Sequence, residues 1–381
     1  MHILLVSFDF CLEAGGIENT SYLLAKHLSK YADVSCYAGN QSREISVDNV
    51  TFYKSKYSID KIKFFSYGVL CELLQIDKVK HIDYVLGIAC YMCPNVLLLN
   101  LIKKIPFGFL CHGNELMDPP RLNIVKNVFN MIYSKIPRKL VLQMADQVFA
   151  NSKYTSNLVE NIHHRLVHIV HSPIDFNHDV DENMLNADKK KIPLLLSIGR
   201  IVERKGFQNV IKALYLLKDK LPSLQYIIGG EGPFEPQLRK LVSDYNLNNR
   251  VQFLGRVSES AKRELYNRCG LFVMPSMTIQ DQTSVEGFGI VSVEANSFGK
   301  FVIASETGGV SDAVIDGKTG LLSPEGDIHN LAVSIERYYS SSFSYSSEFC
   351  IDWAKKHSIT EISKLYFSLI SLYIDNRNSL N

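Results

Sequence analysis

Short apolar runs of strand type alternate along this chain with segments whose apolar positions recur at helical spacing. Residues 3–7, 84–89, 106–111 and 147–150 read as strands in the first half, with helices predicted over 17–29, from Val96 onward and over 155–161. The second half repeats the alternation more clearly. Runs at 194–198, 224–228, 251–254, 271–274 and 301–304 are each followed by a Gly, Pro or Ser loop, and Phe207, Val210, Ile211, Leu214 and Leu217 mark one helix face. Such alternation predicts a parallel sheet wound with helices on both faces, here formed twice. The polar stretch 177–191 reads as a connector, which gives a first domain over 1–172, a linker over 173–191 and a second domain over 192–360. The serine-rich run 340–347 reads as a solvated loop before two last helices, around Trp353 and from Glu361; the final helix, 361–381, is expected to pack back on the first domain. Open parallel sheets bind ligands beyond the carboxyl ends of their strands, so two facing sheets predict a cleft between those ends.

The segment after the strand at 271–274 carries the strongest chemical signal. Pro275 and a polar loop lead to Glu286-Gly287-Phe288-Gly289-Ile290, and apolar positions from Ile290 to Phe298 suit a buried helix that Gly299 ends. A helix starting near Phe288 leaves its first backbone amides unpaired and aimed beyond the strand ends, and the glycines on either side of Phe288 let a ligand come close. Phosphate or sugar oxygens suit such an end. Glu286 in the loop and Glu294 on the helix then address two parts of one extended ligand, although two solvated glutamates would give the same spacing.

Other loops fall at the same ends of their strands. Gly199-Arg200-Ile201-Val202-Glu203-Arg204-Lys205-Gly206 follows a strand and opens a helix, which places Arg200 and Lys205 where a helix dipole favours a diphosphate. Gly15-Gly16-Ile17-Glu18 closes the first strand's loop without full dinucleotide-loop spacing. The loops at 229–233 and 308–310 are equally glycine-rich, and tight strand-to-helix turns account for them as well as ligand contact does. His112 stands directly after the strand at 106–111, beside Gly113.

Composition narrows the picture without adding a partner. A chain of 381 residues exceeds one core, and its 46% hydrophobic and 21% charged content is that of a globular protein. Of its 41 basic and 39 acidic side chains, 18 and 14 lie in residues 1–172 and 23 and 25 in the rest, so nucleic acid is not an expected partner. Eight scattered cysteines, with only Cys90 and Cys93 close together, read as reduced thiols in the cytoplasm. Met1 to Phe10 reads as a first strand and not as a signal peptide, with Asp9 soon after the apolar run. Residues 84–102 carry no formal charge, but Gly87, Pro94, Asn95 and Asn100 interrupt them, so a strand, a turn at 93–95 and a helix are expected instead of a membrane span. Asp179-Val180-Asp181, the only Asp-x-Asp triplet, lies in the connector and reads as solvated, so no metal is expected.

Taken together, the motifs resemble those of the GT-B retaining glycosyltransferases of family 4, glycosyl transferases group 1. The resemblance runs from the GGIE loop through HGNE, GRxxxxKG, GEGP and the Glu286 to Glu294 signature to Gly308-Gly309 and the segment 316–322. It implies an α/β GT-B fold of two facing Rossmann-like, doubly wound domains. It further implies that Arg200 and Lys205 hold a donor diphosphate and that Glu294 accepts from the ribose. Glu286 and the amides of Phe288, Gly289 and Ile290 would hold the hexose and adjoining phosphate. Gly16, with Gly15 beside it, would lie against the donor, and His112 would line the reacting centre. The implied enzyme is a metal-independent, retaining hexosyltransferase without a cofactor that uses a GDP- or UDP-sugar. The polar loop ahead of Glu286 is similar to that of mannosyl-type members and favours GDP-mannose.

A bacterial cell-surface glycan such as an O-antigen or other lipopolysaccharide, or its lipid-linked carrier, is the expected acceptor. Between Asp118 and Asp146 there is no acidic residue, while Arg121, Lys126, Lys135, Arg138 and Lys139 interleave with apolar positions. A basic amphipathic segment over 121–139 suits peripheral contact with an anionic membrane, on the inner face of the plasma membrane, as well as it suits ordinary packing. Two other readings stay open: a sugar-nucleotide 2-epimerase-like isomerase of the same shape, and a nucleotide-sugar binding protein without catalysis.

Overall fold

A computed structural model describes residues 1–10, 16–39, 46–57, 66–88, 93–117, 136–162, 166–186, 188, 191–279 and 284–379. The chain forms two compact units, Met1–Asp175 with Ser358–Asn381, and Phe176–His357. The polar stretch 177–191 belongs to the second unit, where Asp181 caps a short helix, Glu182–Leu185, by accepting from the Met184 amide at 2.9 Å.

In the first unit a seven-stranded parallel sheet is built from β1 (His2–Ser7), β2 (Asp33–Ala38), β3 (Val50–Lys54), β4 (Tyr84–Gly87), β5 (Phe107–Cys111), β6 (Gln147–Ala150) and β7 (Val167–Ile169), in the order β3-β2-β1-β4-β5-β6-β7. Ile3 pairs with Val34 on one side and Tyr84 on the other. Both faces are covered. Ile3 and Leu5 enter one apolar cluster and Leu4 and Val6 another, which is why β1 reads as a continuous apolar run and not as an alternating one. The long last helix, Ile359–Ser379, closes the first of these clusters with Ile359, Ile362, Tyr366 and Ile370. Tyr373 donates to Asp146 at 2.5 Å and Gln147 to the Leu369 carbonyl at 3.1 Å, so the helix is fixed by polar contacts as well.

The second unit holds a six-stranded parallel sheet of β8 (Leu194–Ile198), β9 (Gln225–Gly229), β10 (Val251–Phe253), β11 (Leu271–Met274), β12 (Val302–Ser305) and β13 (Gly320–Ser323), ordered β10-β9-β8-β11-β12-β13. Strand order therefore reverses between β1 and β4 in one unit and between β8 and β11 in the other. At such a point the loops leaving neighbouring strands diverge to opposite faces and leave a crevice at their carboxyl ends.

Two local expectations change. Residues 93–95, expected as a turn, form the start of the helix Cys93–Lys103, where a proline costs nothing because first-turn amides have no intrahelical partner. The helix expected near Phe288 begins two residues later, at Ile290. Among the described residues no helix is long and apolar enough to cross a membrane; 84–102 contains β4 and most of the helix Cys93–Lys103.

Candidate functional site

The point of the second unit where strand order reverses lies between the loops that follow β8 and β11. After β8 the chain runs beside the loop after β9. The Gly199 amide donates to the Gly229 carbonyl at 2.9 Å, Ile201 to Glu231 at 2.9 Å and Phe234 to Ile201 at 3.1 Å. A 3-10 turn, Glu203–Lys205, then leads to Gly206 at φ 75°. A Cβ on Gly206 would lie 1.9 Å from the Pro275 carbonyl oxygen, so only glycine allows the two loops to meet. The Met277 amide, donating to the Arg204 carbonyl at 2.6 Å, locks the second loop to the first.

This interlock brings three charges together. Glu286 Oε2 accepts from Arg204 at 2.9 Å and from Lys205 Nζ at 2.6 Å, with the Glu286 side chain only 14% exposed. Burial pushes the Glu286 carboxyl up, but the Lys205 ammonium and the Arg204 guanidinium outweigh it and hold the group at about 2. Its own carbonyl accepts from the Gly309 amide at 2.9 Å. Gly308, at φ 54°, has room for no side chain there, because a Cβ would come within 2.3 Å of that same carbonyl oxygen. The glycine-rich loop after β12 is therefore a seat for Glu286.

Beyond Glu286, Gly289 at φ 96° opens the helix Ile290–Ser297 without a side-chain cap. The Ser292 amide donates to the Gly289 carbonyl at 2.9 Å, while those of Ile290 and Val291, ahead of it in the first turn, remain suited to an anion. Phe288 is buried and its ring lies 5.6 Å from that of His357, so a ligand can meet Phe288 only through its backbone. One helical turn on, both oxygens of Glu294 are engaged, by Lys262 Nζ at 3.0 Å and by the Tyr266 hydroxyl at 3.0 Å. Burial alone would lower the Lys262 ammonium, but Glu294 and Glu259 raise it further than burial lowers it. Arg200 stands exposed in the same loop as Arg204, with no ion-pair partner among the described residues.

The structure thus gathers Arg200, Lys205, Glu286, Phe288, Gly289, Ile290 and Glu294 on adjoining loops and one helix of the second unit. It adds three side chains that sequence reading passed over. Arg204 had a signal, its place next to Lys205 in the same loop; Lys262 and Tyr266 lie four apart on a helix, Glu259–Arg268, that reads as an ordinary solvated face.

In the first unit, Gly16 opens the helix Gly16–Leu28, and Gly15 lies outside the described residues. His112 follows β5 and is buried. Its amide donates to Glu115 at 2.5 Å, and its Nε2 has no hydrogen-bond partner among the described residues. Burial lowers its basicity, opposed by Glu115, by the Ile88 backbone and by Glu18, so the ring is neutral at pH 7. Of the basic stretch 121–139, residues 121–135 lie outside the described residues; Arg138 donates to the Glu115 carbonyl at 2.7 Å.

Comparison with known proteins gives the family and the fold. Residues 14–178 match Glycosyltransferase Family 4 and residues 179–357 match Glycosyl transferases group 1. The chain is 28% identical over 197 residues to an uncharacterised glycosyltransferase of Bacillus subtilis, YqgM, covering 50% of each chain. It is 31% identical over 143 residues to the GDP-mannose-dependent alpha-(1-6)-phosphatidylinositol monomannoside mannosyltransferase of Mycolicibacterium smegmatis, covering 38% of this chain and 37% of the relative. The alignments thus span half or less of these relatives' own length. HepE of Anabaena, solved in complex with UDP and glucose, superposes with a TM-score of 0.72 at 19% identity, over 97% of this chain and 99% of that one. With two parallel sheets wound by helices and family matches over both halves, the chain belongs to the GT-B glycosyltransferases of group 1, family 4.

Proposed function

We propose that the protein is a retaining glycosyltransferase that moves a hexose from a nucleoside diphosphate sugar to a bacterial cell-surface glycan or its lipid-linked carrier. The observation that carries the reading is the ion triad of Glu286 with Arg204 and Lys205 beside an uncapped helix start. In this reading Arg200, Lys205 and the amides of Gly289 and Ile290 take the diphosphate, Glu286 faces the hexose and Glu294 accepts from the ribose. As the glycosidic bond to the diphosphate breaks, negative charge grows on the leaving oxygens. Fixed cations and amides stabilise it by about 3 kcal/mol per well-placed donor. The cations present supply that charge without a metal, so turnover is expected to be the same in excess EDTA. Neutral His112 is assigned to the reacting centre, where its ring can donate to or accept from a sugar hydroxyl.

Mannose carried by GDP is the favoured donor. It is supported by the polar loop ahead of Glu286 and by the mycolicibacterial relative, which is GDP-mannose-dependent. Peripheral membrane contact through 121–139 belongs to the same reading, and sedimentation with anionic vesicles at low salt tests it: protein left in the supernatant contradicts it. The donor is tested by a thermal-shift panel of nucleoside diphosphates and their sugars, since a ligand at 100 times its dissociation constant adds about 2.7 kcal/mol. GDP-mannose should give the largest shift. No shift with any of them would contradict the proposal, and conversion of the sugar nucleotide without an acceptor would favour an isomerase.

A further inference from the structure

Arg204, like Lys262, is a charged side chain of the site to which the reading above gives no task. It is not spare. Its guanidinium and the Lys205 ammonium converge on one oxygen of Glu286, at 2.9 and 2.6 Å, and its own carbonyl is pinned by the Met277 amide at 2.6 Å. The Arg204 fork is therefore held from the backbone outward before any ligand arrives.

Charge gives this geometry its meaning. A sugar-linked diphosphate carries two negative charges and would lie beside the carboxylate of Glu286, whose own two cations are Arg204 and Lys205. An ammonium has three donors on a flexible stem and can turn from a carboxylate to a phosphate oxygen, whereas a planar guanidinium held by its neighbours stays with the carboxylate it faces. Without a counter-ion of its own, a carboxylate beside a bound diphosphate would take up a proton and lose its power to accept from a sugar hydroxyl.

On the donor-site reading of the preceding section, we infer that Arg204 is a positioning residue: it holds and neutralises Glu286 while Lys205 turns to the donor's diphosphate. The charged groups that act on Glu286 are Lys205 and Arg204, both from the loop after β8. The loop after β12 meets it through the Gly309 amide, and His357 lies against the neighbouring Phe288 ring.

The test follows the Glu286 carboxyl directly in the full chain labelled with 13C-carboxyl glutamate, its resonance identified by loss in Glu286→Gln. Saturating inorganic pyrophosphate stands in for the donor, and the resonance is titrated from pH 4 to 7 in wild type, Arg204→Gln and Arg204→Lys. Wild type should stay ionised throughout, with or without pyrophosphate. Arg204→Gln should titrate inside that window only when pyrophosphate is bound, and Arg204→Lys should fall between the two, because its ammonium can turn to the phosphate as that of Lys205 does. In parallel the acid limb of kcat, which reports the bound complex, should move up by about one pH unit in Arg204→Gln, a tenfold change in the ionised fraction per unit. If Arg204→Gln binds pyrophosphate and Glu286 still stays ionised, the role given to Arg204 is wrong and the donor site stands. If pyrophosphate leaves the wild-type Glu286 resonance unmoved at pH 7, the donor site is wrong and the role of Arg204 falls with it.

Discussion

Glu286 is a carboxylate kept ionised by its neighbours, and that couples function to stability. Removing one member of a buried ion group leaves the others uncompensated, at about 3 to 5 kcal/mol when burial is complete. Here the three side chains keep 11 to 19% of their surface in solvent, so Glu286→Gln should lower unfolding stability at pH 7 by about 1 to 2 kcal/mol and donor turnover by about a hundredfold. The pH dependence has a fixed sign. A carboxyl held at about 2 when its ordinary value is 4.5 stabilises the fold above pH 4.5, and this contribution fades as pH falls from there towards 2. Urea unfolding at pH 7 and pH 3.5 should therefore show a smaller gap between wild type and Glu286→Gln at the lower pH; an unchanged gap would contradict the ion triad. Arg200→Ala removes an exposed side chain and should leave stability within about 0.5 kcal/mol while turnover falls. From the sequence Glu286 looked as exposed as Arg200, because nothing in a linear motif tells which cation will fold over which acid. Glu286, Lys205 and Arg200 were legible as a group, since each sits in a glycine-bearing loop directly after an apolar strand. Arg204 was not, because the paired bases of a surface loop are usually both solvated.

The loops after β8, β9, β11 and β12 behave as one interlocked element, and some glycines of the unit carry such contacts while others, such as Gly317 in the turn before β13, only turn. Gly206 and Gly317 have nearly the same φ, 75° and 72°, but a Cβ on Gly206 would strike the Pro275 carbonyl, while one on Gly317 meets nothing within 4 Å. Gly317→Ala should cost about 1 kcal/mol, the left-handed penalty alone, and Gly206→Ala at least about 2 kcal/mol more. Equal losses in chemical denaturation would mean that the loops do not touch as described. Sequence showed that these glycines matter without showing why. Apolar runs revealed β1, β5, β6, β8 and β11, because strands buried on both faces are continuously apolar. They did not reveal β2 and β3, where Ser35 and Thr51 break the run, or β13, four residues long between Thr319 and Pro324.

At the scale of the molecule, the first unit is completed by the end of the chain. Ile359, Ile362, Tyr366 and Ile370 fill one face of its sheet, and a protein ending at His357 would leave that face bare. Hydrogen exchange of such a truncation should show protection lost across β1, β2, β4 and β6 and retained in β8 to β12; uniform protection would contradict the packing of the last helix. The doubly wound architecture was legible from alternation alone, whereas the membership of 177–191 in the second unit was hidden by its polar composition, which reads as linker. The central claim concerns where a sugar nucleotide binds, and a crystal structure of the protein with GDP-mannose tests it most directly. The account predicts the diphosphate within hydrogen-bond distance of Arg200 and Lys205, the ribose against Glu294 and the Arg204–Glu286 pair intact. A nucleotide bound away from the loops after β8 and β11, or a diphosphate contacting neither cation, would contradict it.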